Sequence, residues 1–364
     1  MSAGTTELDA SALVRELVRR PTVSGSAAAQ RDCMGMVTEV LRERAPHLDV
    51  RVGRDPDQPW SLLRTPTDPT RPHLLLACHV DTVPVPDPGA WQRDPFGADV
   101  EAGRVWGRGA SDMKAGLVAA AAALAATDPQ VPVALLLTSD EEIGSQGAAA
   151  AAGAVAELPV GAVVVPEATG NQVVLGHKGA LWVAVRTAGR AAHGSTPERG
   201  HNAVLDLVAV LSRAPGALPL GSHPFLGAET WNCGTVSGGT VPNVVPDRAE
   251  AVIDMRTVTD GADLLAWWRD QPEVADVDVR VDLPPVGTPA DDPWVATLPA
   301  PVLPTPATYF TDASVLGQVV GSAPIVVWGP GTPAVMHAVD EYAELGELED
   351  AATLLTGVAA RWPR

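Results

Sequence analysis

The chain has 364 residues, 46% of them hydrophobic and 19% charged. That sets a prior of about two domains and excludes a wholly disordered chain. With 25 Lys and Arg against 44 Asp and Glu the net charge is −19, which repels phosphate backbones and anionic lipid and turns the reading away from nucleic acid and membrane surfaces. Three scattered cysteines, Cys33, Cys78 and Cys233, form no C-x-x-C, so neither a disulfide framework nor a thiolate zinc site is expected, and a reducing compartment is.

The first ten residues carry acids where a secretory leader needs basic residues, and no apolar stretch follows. The longest apolar run, Ala115–Ala126, is shorter than the ~18 residues a membrane span needs. A soluble, cytoplasmic protein is expected. The first helix begins after Asp9 as N-cap, carries Leu13, Val14, Leu17 and Val18 at helical spacing and stops at Pro21. A second helix runs over Ala27–Arg44. The apolar run 73–81 reads as a buried strand, and Ala115–Ala126 as a helix. Strand 131–138, helix 148–156 and strand 161–165 follow, an alternation that predicts a parallel-type α/β domain.

After about Lys178 the pattern changes to strand 181–187, helix 202–211, strands 230–236 and 250–256, helix Ala262–Arg269 and strand 276–282. This β-α-β-β-α-β order resembles a ferredoxin-like module. From about Asp291 the α/β character returns, with strand 324–328 and helix 348–361. The simplest organisation is one domain interrupted by another.

Several acids and histidines follow strand-like runs. His79 and Asp81 share one side of a strand end, so His79 can bind a cation while Asp81 holds its other ring nitrogen; an isolated His-x-Asp is usually only structural. The loop Gly107-Arg-Gly-Ala-Ser-Asp112 puts an acid where a dinucleotide loop has its third glycine. That acid reads either as a helix N-cap or as a metal ligand. Asp140-Glu141-Glu142 and Glu167 follow apolar strands, and His337 follows the strand ending at Trp328; solvation or a cation explains such acids. Strand carboxyl ends converge on a crevice in α/β sheets. Two His and three carboxylates suit two divalent ions about 3.5–4 Å apart with one bridging carboxylate, zinc foremost and cobalt or manganese next. A serine nucleophile motif and a phosphate loop are both lacking, and Cys78 lies inside the apolar strand, where a thiol is usually inert. His47, His73, His201 and His223 have no supporting motif.

Seven blocks occur in order: Cys78-His-Val-Asp-Thr-Val-Pro84, Gly107-Arg-Gly-Ala-Ser-Asp-Met-Lys-Ala-Gly116, Thr138-Ser-Asp-Glu-Glu-Ile-Gly144, His193-Gly-Ser-Thr-Pro-Glu-Arg-Gly200, Pro242-Asn-Val-Val-Pro246, Asp254-Met-Arg256, and Gly329-Pro-Gly331 with His337 and Asp340-Glu341. With them the chain resembles the M20 metallopeptidase family, which includes acetylornithine deacetylase, succinyl-diaminopimelate desuccinylase, carboxypeptidase G2 and aminoacylase. The resemblance implies an α/β fold, a zinc-peptidase-like mixed sheet flanked by helices, in segments 1–178 and 288–364. An inserted ferredoxin-like α+β dimerisation or lid domain would occupy 179–287.

It further implies two zinc ions per subunit: Asp112 bridging, His79 and Glu167 on one, Glu142 and His337 on the other. Glu141 would be the general base that activates the attacking water, Asp81 the partner of His79, and His193 an oxyanion donor reaching across a dimer interface. Asn243, Arg256 and Thr311 would meet substrate, and a non-proline cis peptide is expected at Asp112–Met113. The implied activity is hydrolysis of an N-acyl-amino acid or dipeptide-like amide bearing a free carboxylate. Amide formation or acyl transfer, and a binding partner without hydrolysis, are the alternatives. Two departures bear on substrate. His177-Lys178-Gly179-Ala180 stands where desuccinylases read Arg-Arg-Gly-Ser, which weakens the case for a second carboxylate on the acyl group. Tyr309-Phe310-Thr311-Asp312 stands where relatives carry Gly-Gly-Thr-Asp, which predicts a narrower acyl pocket.

Overall fold

A computed structural model describes residues 8–68 and 70–363; the leader reading at residues 1–7 lies outside them. The chain divides into two compact units, one of residues 1–176, 286–307 and 311–364, the other of 177–285 and 308–310. The seams expected from sequence were 178/179 and 287/288. Among the described residues no helix is long and apolar enough to cross a membrane.

The first unit opens with α1 (Ala10–Val18), whose Asp9 side chain accepts from the Ala12 N–H at 2.8 Å and whose Leu13, Val14, Leu17 and Val18 are buried. Each such side chain contributes about 1.5–3 kcal/mol. Helix α2 spans Ala27–Arg44. The sheet is built from β1 (Asp49–Val52), β2 (Ser61–Arg64), β3 (His73–His79), β4 (Val133–Thr138), β5 (Val160–Ala168) and β10 (Ile325–Gly329), in the order β1-β2-β4-β3-β5-β10. The last four are mutually parallel, while β1 and β2 add antiparallel. The sheet is therefore mixed rather than purely parallel. Sequence patterning missed β1 because three of its four residues are exposed and no apolar run marks it.

Strands β3, β4 and β10 are buried along their whole length, as expected of strands covered on both faces. Helices α3 (Ala115–Ala126), α4 (Gln146–Ala156) and α7 (Leu345–Arg361) also belong to this unit. Helix α3 is apolar nearly all round and buried, the composition of a core helix. It approaches β5 so closely that a Cβ on Gly116 would lie 1.7 Å from the Pro166 carbonyl oxygen.

The second unit is an antiparallel sheet of β6 (Gly179–Ala188), β7 (Thr230–Gly238), β8 (Arg248–Thr257) and β9 (Val274–Leu283), in the order β7-β8-β6-β9. Helices α5 (Ala203–Ala217) and α6 (Ala262–Arg269) pack their Leu207, Val210, Leu264 and Trp268 onto Leu181, Val183, Ile253 and Met255. The chain order β-α-β-β-α-β is the one expected from the pattern of residues.

The loop 107–114, which leads into α3, is fixed from two directions. The buried Lys114 ammonium donates to the main-chain oxygens of Leu17 at 3.0 Å and Arg20 at 2.9 Å, at and just beyond the C-terminus of α1. Glu341, wholly buried, accepts from Arg108 Nη1 at 2.7 Å and from the N–H groups of Gly109, Ser111 and Asp112 at 2.9, 2.9 and 3.1 Å. Gly109 holds its N–H toward Glu341 with a φ of 80°, a conformation that favours glycine. Glu341→Ala would strand a buried guanidinium and three N–H groups. It should lower the urea unfolding free energy by about 3–5 kcal/mol, and an unchanged unfolding curve would show that the loop holds itself.

Candidate metal centre

The carboxyl ends of β3, β4, β5 and β10 deliver the side chains of one buried cluster. His79 is the last residue of β3, Glu167 the penultimate residue of β5, and Glu141 and Glu142 follow β4. His337 comes from the segment after β10 with a φ of 60°. Asp112 comes from the loop that Glu341 organises, and its bond to Met113 is cis. The Asp112 carboxylate does not cap α3; its oxygens point to two different histidines.

Oδ1 of Asp112 lies 3.2 Å from His79 Nε2, which is also 3.2 Å from Glu167 Oε1. Oδ2 lies 3.1 Å from His337 Nε2, which is 2.9 Å from Glu142 Oε2. His79, Asp112 and Glu167 therefore form one triad and Asp112, Glu142 and His337 a second, each with one ligand atom per residue all within 4.8 Å of one another. The first triad is buried, whereas half of the His337 side chain is exposed.

The Asp81 main-chain oxygen lies 3.1 Å from His79 Nδ1. A carbonyl can only accept, so the proton sits on Nδ1 and the Nε2 lone pair faces the cluster. The sequence reading gave this role to the Asp81 carboxylate, which is farther away at 3.4 Å. That carboxylate instead accepts from the N–H groups of Glu141 at 3.1 Å and Glu142 at 3.3 Å and from the Ser24 hydroxyl at 2.8 Å. One side chain thus ties the end of β3 to the acidic turn after β4.

The three adjacent acids have separate environments. Asp140 accepts from Gly25 N–H and Gln30 Nε2, both at 2.7 Å, and serves the fold. Glu142 meets His337. Glu141 is buried, with Oε1 lacking any hydrogen-bond partner among the described residues, as does Oε2 of Glu167. Alternation along an extended strand does not separate Glu141 from Glu142, because both lie beyond β4, where Gly144 and Ser145 N–H close a turn onto the Glu141 carbonyl.

Burial, with neighbouring carboxylates added, raises the pKa of Glu141 well above the usual range, raises that of Glu142, and pushes Glu167 up to about 7. Burial opposes a charged His79, but Glu167, Asp112 and Asp81 outweigh it and push its pKa well up; Asp112 and Glu142 hold His337 up to about 10. An excess of negative charge, orphaned buried oxygens and N/O donors without thiolate suit divalent cations. The residues fit a divalent metal ion.

Asp312 has no role that the sequence pattern indicates. It is buried, accepts from Thr138 Oγ1 at 2.5 Å, and is pushed up to about 6, by burial first. Glu341 likewise has no role that the sequence pattern indicates. A lone acid beside a lone hydroxyl or loop N–H has no sequence period, so neither could be assigned. Thr311 is fully buried and its Oγ1 accepts from the Ala313 N–H at 3.1 Å, a local turn contact.

His193, Asn243 and Arg256 lie in the second unit. Ser195 N–H donates to His193 Nδ1 at 3.1 Å, and the Ser195 hydroxyl is 2.7 Å from the same atom. An accepting Nδ1 puts the ring proton on Nε2. The next residue, Gly194, donates its N–H to the Asn243 carbonyl at 2.7 Å, so these two loops are neighbours. Arg256 lies on β8 and pairs with Asp254.

The sequence model of peptidase family M20/M25/M40 matches residues 75–361. A succinyl-diaminopimelate desuccinylase of Caulobacter sp. (strain K31) is 30% identical over 392 aligned positions, covering 98% of this chain and 96% of that one. A protein of Aspergillus clavatus named "Probable carboxypeptidase" is 32% identical over 312, covering 78% of this chain and 67% of that one. Among solved structures, the M20 family metallo-carboxypeptidase Sso-CP2 from Sulfolobus solfataricus superposes with a TM-score of 0.82 at 20% identity, over 98% of this chain and 99% of that one; at that identity the likeness speaks for the fold. The family match over most of the chain, the named relatives and the paired ligand triads converge: this chain is a metal-dependent amidohydrolase belonging to peptidase family M20/M25/M40.

Proposed function

We propose that the protein is a di-zinc hydrolase that cleaves the amide bond of an N-acyl-amino acid or dipeptide-like substrate carrying a free carboxylate. The observation that carries this reading is the division of the Asp112 oxygens between two ligand triads. His79 and Glu167 would hold one ion with Asp112, and Glu142 and His337 the other; cobalt or manganese would also suit these donors. Zinc, when bound, supplies Lewis acidity to a carbonyl oxygen and acidifies water.

The protein's own groups do the rest. Among the described residues no donor reaches Glu141 Oε1, which suits it to take a proton from the attacking water and return it to the departing amine nitrogen. Asp81 holds both the His79 ring and the main chain of Glu141. His193 Nε2–H, aimed by Ser195, would donate to the oxyanion, and Asn243 and Arg256 would meet the substrate carboxylate.

His193 is assigned to the centre of a second copy. The second unit would be an inserted ferredoxin-like dimerisation domain forming a homodimer. That is supported by Leu205 and Val208, 65% and 52% exposed on α5, and by Val236, 59% exposed on the edge strand β7; such edges and apolar faces are ordinarily covered. Three free thiols fit a cytoplasmic setting. A second carboxylate on the acyl group is disfavoured. His177 is buried, donates through Nδ1 to the Lys178 carbonyl at 2.8 Å, and burial lowers its pKa to about 4, while the Lys178 ammonium donates to the Ala228 carbonyl.

Glu141→Gln should lower kcat on an N-acyl-amino acid by about 10²–10⁴ with bound metal retained; an unaffected rate removes Glu141 from the mechanism. Asp112→Asn should strip metal from both triads and Glu167→Gln from one. Elemental analysis after dialysis should then read near zero and about one ion per chain against about two in the parent. Mixing inactive His193→Ala and Glu141→Gln proteins under subunit exchange should restore about a quarter of parental activity through hybrid dimers; no recovery would confine His193 to its own chain.

A further inference from the structure

Phe310 stands where relatives carry glycine, and its surroundings point to a different task from narrowing an acyl pocket. Within the second unit the Arg256 guanidinium lies over the Phe310 ring, 5.5 Å from its centroid. Its Nε is 3.0 Å and its Nη2 3.1 Å from the Asp254 carboxylate oxygens Oδ1 and Oδ2. Trp182 donates from Nε1 to Asp254 Oδ1 at 2.9 Å, and its ring meets Phe310 edge-on with centroids 6.1 Å apart. Three side chains therefore fix the guanidinium: a carboxylate along one edge, a ring against one face, and an indole bracing both.

A guanidinium has five N–H donors in a planar fork. Asp254 occupies the edge made by Nε and one N–H of Nη2. Among the described residues no hydrogen bond reaches the edge made by Nη1 and the second N–H of Nη2, which is a fork matched to one carboxylate. We propose that Phe310, Trp182 and Asp254 are positioning residues that hold Arg256 with this single fork presented, so that the enzyme selects substrates whose amino-acid part ends in a free carboxylate. The proposal rests on the reading of Arg256 as the group that meets that carboxylate. Asp254 leaves the pair with no net charge, so selection comes from the geometry of the fork more than from long-range attraction, and disturbing the ring should loosen it.

The test compares one N-acyl-amino acid with its α-carboxamide on the parent protein, Phe310→Leu, Arg256→Gln and the double variant. Phe310→Leu should raise KM for the acid by about 2- to 30-fold and that for the carboxamide little, with kcat nearly constant. The double variant should be no worse than Arg256→Gln. A changed dependence on acyl chain length with the acid-to-carboxamide ratio intact would make Phe310 a wall of the acyl pocket and overturn the proposal, as would independent effects of the two substitutions. Calorimetric binding of acid and carboxamide to the metal-loaded Glu141→Gln protein, with and without Phe310→Leu, separates this proposal from the hydrolytic reading. A preference for the acid that Phe310→Leu erodes upholds the fork even if the parent protein turns over nothing. Equal binding of acid and carboxamide overturns the fork even if turnover is observed.

Discussion

A carboxylate carries both oxygens on one carbon, so the two ligand triads that share Asp112 are tied side by side. The position of that carbon is set by the loop 107–114, from which Glu341 accepts four hydrogen bonds and which Lys114 anchors to the end of α1. Gathering Glu141, Glu142 and Glu167 around it is costly, because burial raises the pKa of each and neighbouring carboxylates add to the rise. Divalent ions reverse that cost. The fold is accordingly stiff where the triads lie, with strands buried end to end and a helix pressed against β5 at a glycine.

Much of this was legible in the sequence because the chemistry coincides with a pattern. Apolar runs marked β3, β4, β5 and β10, and the acids and histidines that follow them stood out against that background. Helix α1 was marked by its Asp9 cap and its apolar spacing and α3 by its run of small residues, and the β-α-β-β-α-β order of the second unit followed from the succession of strand-like and helix-like segments. What was not legible is what depends on the third dimension alone. Strand β1 pairs through its main chain with exposed side chains, so no hydrophobic signal could mark it.

Asp81 is instructive in a different way. Spacing alone predicted that it would partner His79, and it does, but through its carbonyl oxygen, while its carboxylate collects main-chain donors from the turn after β4. The residue was readable and the atom was not. Asp140, Glu141 and Glu142 are alike as a run of three acids, yet one braces α2, one is buried with a free oxygen, and one meets His337. Their turn, rather than the pleat of a strand, distributes them.

The grip of Glu341 on the Asp112 N–H joins positions 229 residues apart in the chain. During synthesis the groups of the first triad have all been made once Glu167 is added, but the loop presenting Asp112 lacks its clasp until residue 341 leaves the ribosome. By then the whole second unit has been translated and, being compact on its own, is free to fold first. The loop that presents Asp112 is therefore completed only by a segment translated after both the first triad and the second unit.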